Sequence, residues 1–565
     1  MAPAPKSKAK GGSPRPDGEI RQSQLITTFG PGSLVDLVGD AVLIPGLEHW
    51  HYTGAGGYEI HEPRLAENLR RRSLRLSRTN PFRSPPVNAS DEQHRGCGVA
   101  AMEFPSWFLC PQRNCERLIH KRDTELKNGE HRHRCMTSDK SSRLVPVRFV
   151  TACPNGHLDD FPWNWFAHID QGRCSTPELV LTDRGSGDLS DVEVRCLSCG
   201  ASRSMAKAKG PRALPGCDGR RPWLGAYVGD PTVKEECNEL QRLLLRTASD
   251  SYFSQVESAL SIPQVSRLAP ELLEFFERHH DRDLVTIESL GDVAPGRKLI
   301  TPLRDAPEPV ARLSHAELWH ATETYRAERQ SDDASAHVRE TEYRTMIAAL
   351  EEQGDGVYVQ SKHEGQLDFY ADKPRRATCK LPPGIRDLVL LKRLREVRVL
   401  TGFTRLQSEP QNIYGEFNLG SRRAALGSTS DWLPASEIRG EGFLLELDFD
   451  RLKEWEERPA VLRRESELRE GFAARFPNHE QLGMEFQGVR FYLLHTLAHL
   501  LITQVALTCG YAASAIRERI YCSPKDDLSV TPMAGVLLST IPLLILFVFA
   551  GKQLVSGIMA GAVKG

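Results

Sequence analysis

The chain has 565 residues, enough for about three to four domains, and it can bury several hydrophobic cores without disulfide staples. Lys and Arg number 73 against 74 Asp and Glu, and the formal net charge of −1 excludes a polycation that coats nucleic acid over its whole surface. With 40% hydrophobic and 26% charged residues, the composition is typical of a globular protein, neither disordered nor polytopic.

The N-terminal part begins with a low-complexity tail. Residues 1–17 are rich in Ala, Pro, Gly, Ser and Lys, and they predict a disordered basic tail because they bury little apolar surface. Residues 18–105 predict an α/β region, in which the run AVLIPGL indicates a buried strand. Arginines at helical spacing follow, and they form either a solvated helix face or a phosphate-contacting patch. They are Arg70, Arg71, Arg72, Arg75 and Arg78.

Cysteine is concentrated in the next region. Nine of the thirteen cysteines lie between positions 110 and 237. The N-terminus has no apolar signal segment, so we expect a cytoplasmic chain whose reduced thiols bind metal rather than form disulfides. Residues 106–230 therefore predict a zinc-binding region of zinc-ribbon-like modules.

Two tetrahedral zinc sites can be written from these residues. The first comprises Cys174, Cys196, Cys199 and Cys217, built around a CxxCG knuckle. The second comprises Cys110, Cys115 and Cys135, with Cys153 or His157 as the fourth ligand. Isolated cysteines such as Cys237 are expected to be ordinary buried thiols. Because four protein ligands leave no open position, we expect structural rather than catalytic metal.

Residues 231–425 predict a mainly helical region. Apolar side chains recur at helical spacing in residues 234–260, 333–350 and 387–400. Further on, the alternation in GFLLELDF predicts a strand, and VRFYLLHTLAHLLITQVALT predicts a long helix that ends with Gly510 as its C-cap.

Several motifs do not indicate catalysis. The chain has no GxxxxGK[ST] phosphate-binding loop, so we expect no enzymatic activity of its own. His495 and His499 lack the intervening Glu and the third ligand of a zincin, and they are expected to be satisfied polar positions of a packed helix. Asp159 and Asp160 lack a paired nucleophile, and they are expected to cap or pin the metal module.

Longer motifs are spread from about residue 20 to about residue 522. They include RQSQLITTFGPGSLVDL, VPVRFVTACPNGHLDDFPW, CLSCGASRS and LLHTLAHLLITQVALTCGYAASAIRERIY. Together they resemble the DrmB family of the DISARM anti-phage system. Residues 426–522 resemble a truncated form of the MrfA-like zinc-binding domain of DNA-repair helicases. The resemblance implies an accessory subunit that docks on a superfamily-2, DrmA-like helicase and helps it to engage phage DNA.

Binding to DNA through phosphates needs positive charge on one face of the protein. The expected phosphate contacts are Arg70, Arg71, Arg72, Arg75, Arg132 and Arg134.

Residues 523–565 depart from that family. No charge occurs from Leu528 to Gly551, which is long enough for a membrane-spanning helix, and the tail resembles the end of a carbohydrate ABC-transporter permease. Two interpretations stay open: an accidental join by fusion, frameshift or assembly error, or a membrane anchor on a chain without independent activity. The predicted fold class is α+β and multidomain, with an apolar C-terminal helix.

Overall fold

The computed structural model describes residues 20–262 and 337–540, with short gaps inside both ranges, and a few residues between them. The chain mixes helices with strands and carries several cysteine-rich clusters, which confirms the α+β class. The predicted basic tail, Arg78 and residues 541–565 lie outside the described residues.

Short elements build the N-terminal part, residues 20–104. Its helices are α1 (Gln24–Thr27) and α2 (Pro63–Arg71), and α2 starts at a proline whose fixed φ suits a first helical turn. Its strands are β1 (Leu34–Asp36), β2 (Ala41–Leu43), β3 (Trp50–His51), β4 (Glu59–Ile60), β5 (Phe82–Arg83), β6 (Gly98–Val99) and β7 (Met102–Glu103). The strand predicted in AVLIPGL is confirmed as β2.

Where the structure describes it, the cysteine-rich part contains four three-stranded sheets and a short helix, α3 (Trp163–His168). The strand orders of these sheets are β10-β11-β12, β13-β8-β9, β15-β14-β19 and β16-β17-β18. The strands are β8 (Trp107–Leu109), β9 (Leu118–His120), β10 (Glu125–Lys127), β11 (Glu130–Arg134), β12 (Ser141–Arg143), β13 (Val145–Pro146), β14 (Phe149–Ala152), β15 (Leu158–Asp160), β16 (Leu179–Asp183), β17 (Val192–Cys196), β18 (Ser202–Ser204) and β19 (Arg242–Leu245).

A nine-stranded sheet dominates the rest of the chain. Its remaining strands are β20 (Phe253–Leu260), β21 (Val359–His363), β22 (Gln366–Asp372), β23 (Ile385–Thr404), β24 (Leu433–Leu447), β25 (Ile516–Cys522) and β26 (Ala534–Thr540). The main order is β21-β22-β23-β24-β26-β25, with β20 also on β23, β5 on β24 and β4 on β5. The described helices of this part are α4 (Val338–Glu351), α5 (Phe449–Glu456), α6 (Pro459–Arg475) and α7 (Gly488–Cys509).

Two segments predicted as helices are strands. Residues 242–245 and 253–260 form β19 and β20, and residues 387–400 lie inside β23. Strand pairing on both sides of β23, with β22 and β20 on one side and β24 on the other, outweighs the apparent helical spacing. The helix predicted over 333–350 is confirmed as α4 within the described residues, and the strand in GFLLELDF is confirmed as part of β24.

The long strands β23 and β24 border more than one hydrophobic core. Val397, Val399 and Phe403 of β23 pack with apolar residues of the N-terminal part. On β24, side chains alternate: Leu444 joins a core that contains α4 residues, whereas Phe443 packs with residues of α7. The same sheet therefore contributes side chains to the N-terminal core and to two further cores, one on each of its faces, in the C-terminal half.

Helix α7 ends as predicted, because Gly510 takes the left-handed conformation (φ 74°) and its N–H donates to the Ala506 carbonyl at 3.0 Å. One face of α7 is buried on the sheet by Leu494, Ala498, Leu501 and Val505. Within the described part of the chain, α7 is the one helix long and apolar enough to cross a membrane by length and composition.

The predicted membrane span is wrong over its described part. Residues 534–540 form β26, which lies between β24 and β25. It pairs with β24 over six residues and with β25 over seven. Val536, Leu537 and Leu538 are buried on its two faces. The apolar composition of this stretch therefore belongs to an internal strand, which is buried on both sides, and the boundary predicted at residue 523 falls inside the sheet.

Candidate metal centres

Among the described residues of the cysteine-rich part, Cys and His side chains form three clusters of four, each with its potential ligand atoms within 4.8 Å of one another. Cluster 1 is Cys110, Cys115, His133 and Cys135. Cluster 2 is His168, Cys174, Cys196 and Cys199. Cluster 3 is Cys153, His157, Cys217 and Cys237.

Cluster 1 joins a tight turn to a strand. Cys110 and Cys115 flank a turn in which Asn114 has a left-handed backbone (φ 67°), and the Cys110 N–H donates to the Arg117 carbonyl at 3.0 Å. His133 lies on the buried face of β11, and its Nε2 is 3.9 Å from the Cys115 Sγ. Burial raises the pKa of the Cys110 thiol to about 12, so this group is a poor anion unless a cation binds it.

Cluster 2 is built on a knuckle. Cys196 ends β17, and Gly200 turns the chain with a φ of 79°, which lets the Gly200 N–H donate to the Cys196 carbonyl at 2.9 Å. Burial opposes ionisation of Cys196. Hydrogen bonds from the backbone N–H groups of Cys199 and Ser198 favour the thiolate, and the Cys196 pKa is lowered to about 6.

His168 is arranged as a ligand of cluster 2. It ends α3, and its Nδ1 donates to the Asn164 carbonyl at 2.6 Å. This bond leaves Nε2 with a lone pair, and that buried atom has no hydrogen-bond partner among the described residues. A bound cation would satisfy an atom that otherwise carries a desolvation cost.

Cluster 3 gathers ligands from two separate segments. Cys153 and His157 flank the turn between β14 and β15, and the His157 Nδ1 is 3.2 Å from the Cys153 Sγ and 3.5 Å from the Cys217 Sγ. On its other side, the His157 Nε2 bonds to Glu235. This is the arrangement in which a carboxylate fixes the tautomer of a metal-binding histidine. The thiol of Cys217 donates to Cys153, which lowers the Cys153 pKa to about 4 and raises that of Cys217.

A buried arginine holds the turn of cluster 3. Arg405 directly follows β23 and is fully buried. Its Nε donates to the Gly156 carbonyl at 2.9 Å. Its other nitrogens donate to the carbonyls of Gly32 and Ser251. Gly156 itself has a φ of 87°, and a Cβ there would lie 2.6 Å from the Ala424 Cβ. The turn is thus fixed by both its backbone and its neighbours.

The donor sets fit a metal such as zinc. Each cluster offers four thiol or imidazole ligands, mostly buried, which is the complement of a closed tetrahedral site. The clusters could therefore hold metal ions that cross-link short sheets, because residues 106–240 contribute few long elements of their own.

Comparison with known proteins agrees with the sequence motifs. Residues 21–253 match a family described as a domain of unknown function, DUF8724, and this span contains all three clusters. The chain is also similar to the DISARM protein DrmB of Bacillus paralicheniformis, with 28% identity over 517 residues that cover 90% of this chain and 83% of that protein.

The chain is thus a homologue of the DISARM protein DrmB. The resemblance drawn from the motifs is thereby confirmed, and the chain is a homologue of a DISARM protein. The similarity extends well beyond the matched domain, into the large sheet and α7.

In this DrmB homologue, the structure groups the ligands differently from the predicted sets. Cys217 does not join Cys174, Cys196 and Cys199, because it lies with Cys153 in cluster 3. The fourth residue of cluster 1 is His133 rather than Cys153 or His157. Cys237, expected to be an isolated buried thiol, is also in cluster 3.

A sequence signal existed for one of the missed residues. In the segment HRHRC, alternation along β11 places His133 and Cys135 on the same buried face, whereas Arg134 is exposed. His168 and Cys237 had no such signal, because the ligand spacing within a chain does not determine which pairs meet.

The predicted DNA-binding arginines of this DrmB homologue have different environments. Arg72 forms a two-point ion pair with the buried Glu257, at 2.6 and 2.9 Å, and Arg132 pairs with Glu130 at 2.8 Å. Arg70 bonds to the Ser77 carbonyl and pairs with Glu67 at 3.3 Å. The exposed members of the predicted set are Arg71, Arg75 and Arg134.

Asp159 and Asp160 line a pocket of about 470 Å³ together with aromatic side chains that include Trp107 and Trp163. The Asp160 Oδ1 accepts the Ser106 N–H at 2.8 Å, and Asp159 pairs with Arg220 at 3.1 Å. Burial and the neighbouring Asp159 carboxylate raise the pKa of Asp160 to about 7. The two carboxylates thereby connect β15 to Ser106, which precedes it in the chain, and to Arg220, which follows it.

Proposed function

We propose that this DrmB-family chain is a zinc-stabilised, non-catalytic accessory subunit of a DISARM-type defence complex. It would bind a superfamily-2, DrmA-like helicase in the cytoplasm and help it to engage phage DNA. The observation that carries the proposal is the similarity to a DISARM DrmB protein over nine-tenths of the chain.

Zinc in clusters 1 to 3 would have a structural role. Four protein ligands fill a tetrahedral site, so none would be left for water or substrate. Histidines with their second ring nitrogen already bonded, as in His157 and His168, support ligation in clusters 2 and 3. The chain also lacks a phosphate-binding loop, and we therefore assign ATP hydrolysis to the partner.

DNA contact would come from the exposed part of the predicted arginine set. Arg71, Arg75 and Arg134 are exposed, whereas the guanidinium of Arg72 is engaged by a buried carboxylate and serves the fold. A contribution from these three side chains would be electrostatic and independent of base sequence.

The membrane-anchored alternative has less support, because the first described part of the apolar tail is strand β26 rather than a helix. A cytoplasmic location is therefore part of the proposal.

Affinity purification of the full chain from cells that carry the complete defence system tests the partner. We expect a DEAD/DEAH-type helicase to be retained through washing and identified by mass spectrometry. Recovery of the chain without any helicase would overturn the accessory role.

Salt-dependent DNA binding by the purified complex tests the second part. Replacing Arg71, Arg75 and Arg134 with Ala should weaken binding and reduce the slope of log affinity against log salt by about 3. The matched control replaces Arg464 and Arg469, two exposed arginines of α6 that pair with Glu467 and Glu465. Equal slopes for the two variants would exclude these DNA contacts.

A further inference from the structure

Two histidines and a glutamate converge outside the cysteine-rich part. His495 and His499 are one turn apart on α7, with stacked rings whose centroids are 4.5 Å apart and whose Nε2 atoms are 3.1 Å apart. The Glu518 Oε1, from β25, is 3.7 Å from the first Nε2 and 3.9 Å from the second. They form a fourth group of potential metal ligands.

The fold directs Glu518 towards the helix. Ile516, Ile520 and Cys522 of β25 belong to the core that α7 closes, and Glu518 shares their face of the strand by alternation. It is the polar side chain on an otherwise apolar face. His495 and His499 border the same core, next to the buried Leu494 and Ala498.

The three side chains do not satisfy one another. The Glu518 Oε2 is buried and has no hydrogen-bond partner among the described residues. The two facing Nε2 atoms can form one hydrogen bond at most, and only if one of them carries the proton. The group therefore presents several lone pairs to one point, where a cation would satisfy them.

The distances suit a transition metal. With Zn–N bonds of about 2.0–2.1 Å and tetrahedral angles, two coordinating nitrogens are about 3.4 Å apart. The separation of 3.1 Å between the two Nε2 atoms is near this value, and the carboxylate oxygen needs a shift of a few tenths of an ångström, which a Glu side chain allows.

We propose that His495, His499 and Glu518 bind a divalent transition-metal ion, such as zinc or manganese, with at least one coordination position left open. Two imidazoles and a carboxylate are a ligand set that such ions accept, and three ligands leave room for water or an exogenous oxygen ligand. The His499 side chain is 64% exposed, so this ion would exchange with solvent, unlike an ion in the buried cluster 1. The site is independent of the proposed helicase partnership.

The test is a metal titration of the full chain whose cysteine clusters have first been loaded with zinc and from which exchangeable ions have then been removed by dialysis against a weak chelator. Adding Co²⁺ should fill one further site, with visible bands from nitrogen and oxygen ligands and no added thiolate charge-transfer band. His499→Gln and Glu518→Gln should each weaken this binding at least tenfold, since losing a ligand costs no less than losing a supporting group.

His479→Gln is the matched control, because His479 bonds to the Phe476 carbonyl and lies outside the group. Its Co²⁺ titration should equal that of the parent chain. Equal Co²⁺ binding by the parent and His499→Gln, at unchanged thermal unfolding midpoints, would overturn the proposal. So would a parent chain that binds no further ion. In either case the two histidines only share a proton.

Discussion

At the scale of single residues, a hydrogen bond at one ring nitrogen of a histidine determines whether the other nitrogen can bind a metal ion. His157 is held by Glu235 through Nε2, and His168 by a backbone carbonyl through Nδ1, so opposite ring atoms face their thiols. Each bond selects a tautomer and an orientation before any ion arrives. The supporting groups should therefore affect metal affinity without being ligands themselves.

Replacing Glu235 with Gln tests this effect. An amide neither accepts as strongly nor carries the charge that fixes His157, so we expect the zinc affinity of cluster 3 to fall about 10- to 100-fold. Competition with a chromophoric chelator measures this affinity. The ion of cluster 3 should be lost at a lower chelator concentration than in the parent chain. Glu178→Gln, which removes an exposed partner of Arg117, is the control and should leave all affinities unchanged. Identical chelator-competition curves for the two variants would contradict the role of Glu235.

Asp160 gives a pH dependence of opposite sign to that of a salt-bridged carboxylate. Its folded-state pKa of about 7 lies above the ordinary value of 3.8, so the folded protein binds the proton more tightly than the unfolded chain. Stability therefore falls as the pH rises from about 4 to about 7. The pocket also brings Asp159, Asp218, His120 and Arg220 near this group.

Asp160→Asn removes the loss of stability that comes with ionisation of this buried carboxyl. It keeps a side-chain oxygen that can accept the Ser106 N–H. We expect the variant to be more stable than the parent at pH 8, by about 2 kcal/mol after allowance for water in the pocket, and the gain to shrink towards pH 4. Thermal unfolding midpoints of the two chains across this pH range measure the difference. A constant difference at every pH would show that Asp160 does not titrate as described.

At the scale of elements, the strand β23 explains why some patterns misled the sequence prediction. Its buried side chains alternate as Val389 and Leu391, and then as Val397 and Val399, but a bulge separates Leu391 from Leu394. The bulge inserts a spacing of three residues into a period of two, and the result resembles a helix. Helix α7 had no such interruption, and both its period and its glycine cap were predicted correctly.

Helix α7 also offers a matched pair of leucines. Leu494 is fully buried against the sheet, whereas Leu500, less than two turns along the helix, is 65% exposed. Leu494→Ala should cost about 2–5 kcal/mol of unfolding free energy, since it leaves a cavity. Leu500→Ala should cost little, since Ala is the better helix former and loses no buried contact. Urea unfolding measures both, and equal losses would contradict the observed face of α7.

At the scale of the whole molecule, the matched domain does not coincide with a folding unit. It ends at residue 253, where β20 begins, yet its core is completed by Val397, Leu400 and Phe403 of β23. Nine of the twelve candidate metal ligands in clusters 1 to 3 were identified from the sequence, whereas His133, His168 and Cys237 were missed. Their grouping depends on this long-range closure, which local spacing does not encode.

A fragment of residues 20–262 should therefore fail to fold by itself, because it exposes the apolar face that β23 covers. We expect it to aggregate when expressed alone and to be recovered in soluble form when residues 337–540 are produced in the same cell. Solubility and co-purification measure this outcome. A soluble, cooperatively unfolding fragment without its complement would contradict the shared core.

The position of Arg405 has a consequence for synthesis. Its guanidinium joins the carbonyls of Gly32, Gly156 and Ser251, all of which leave the ribosome before it. The thiols of cluster 3 are thus translated long before the side chain that locks their turn. During that interval the turn that carries Cys153 and His157 lacks the hydrogen bond that fixes it in the folded protein.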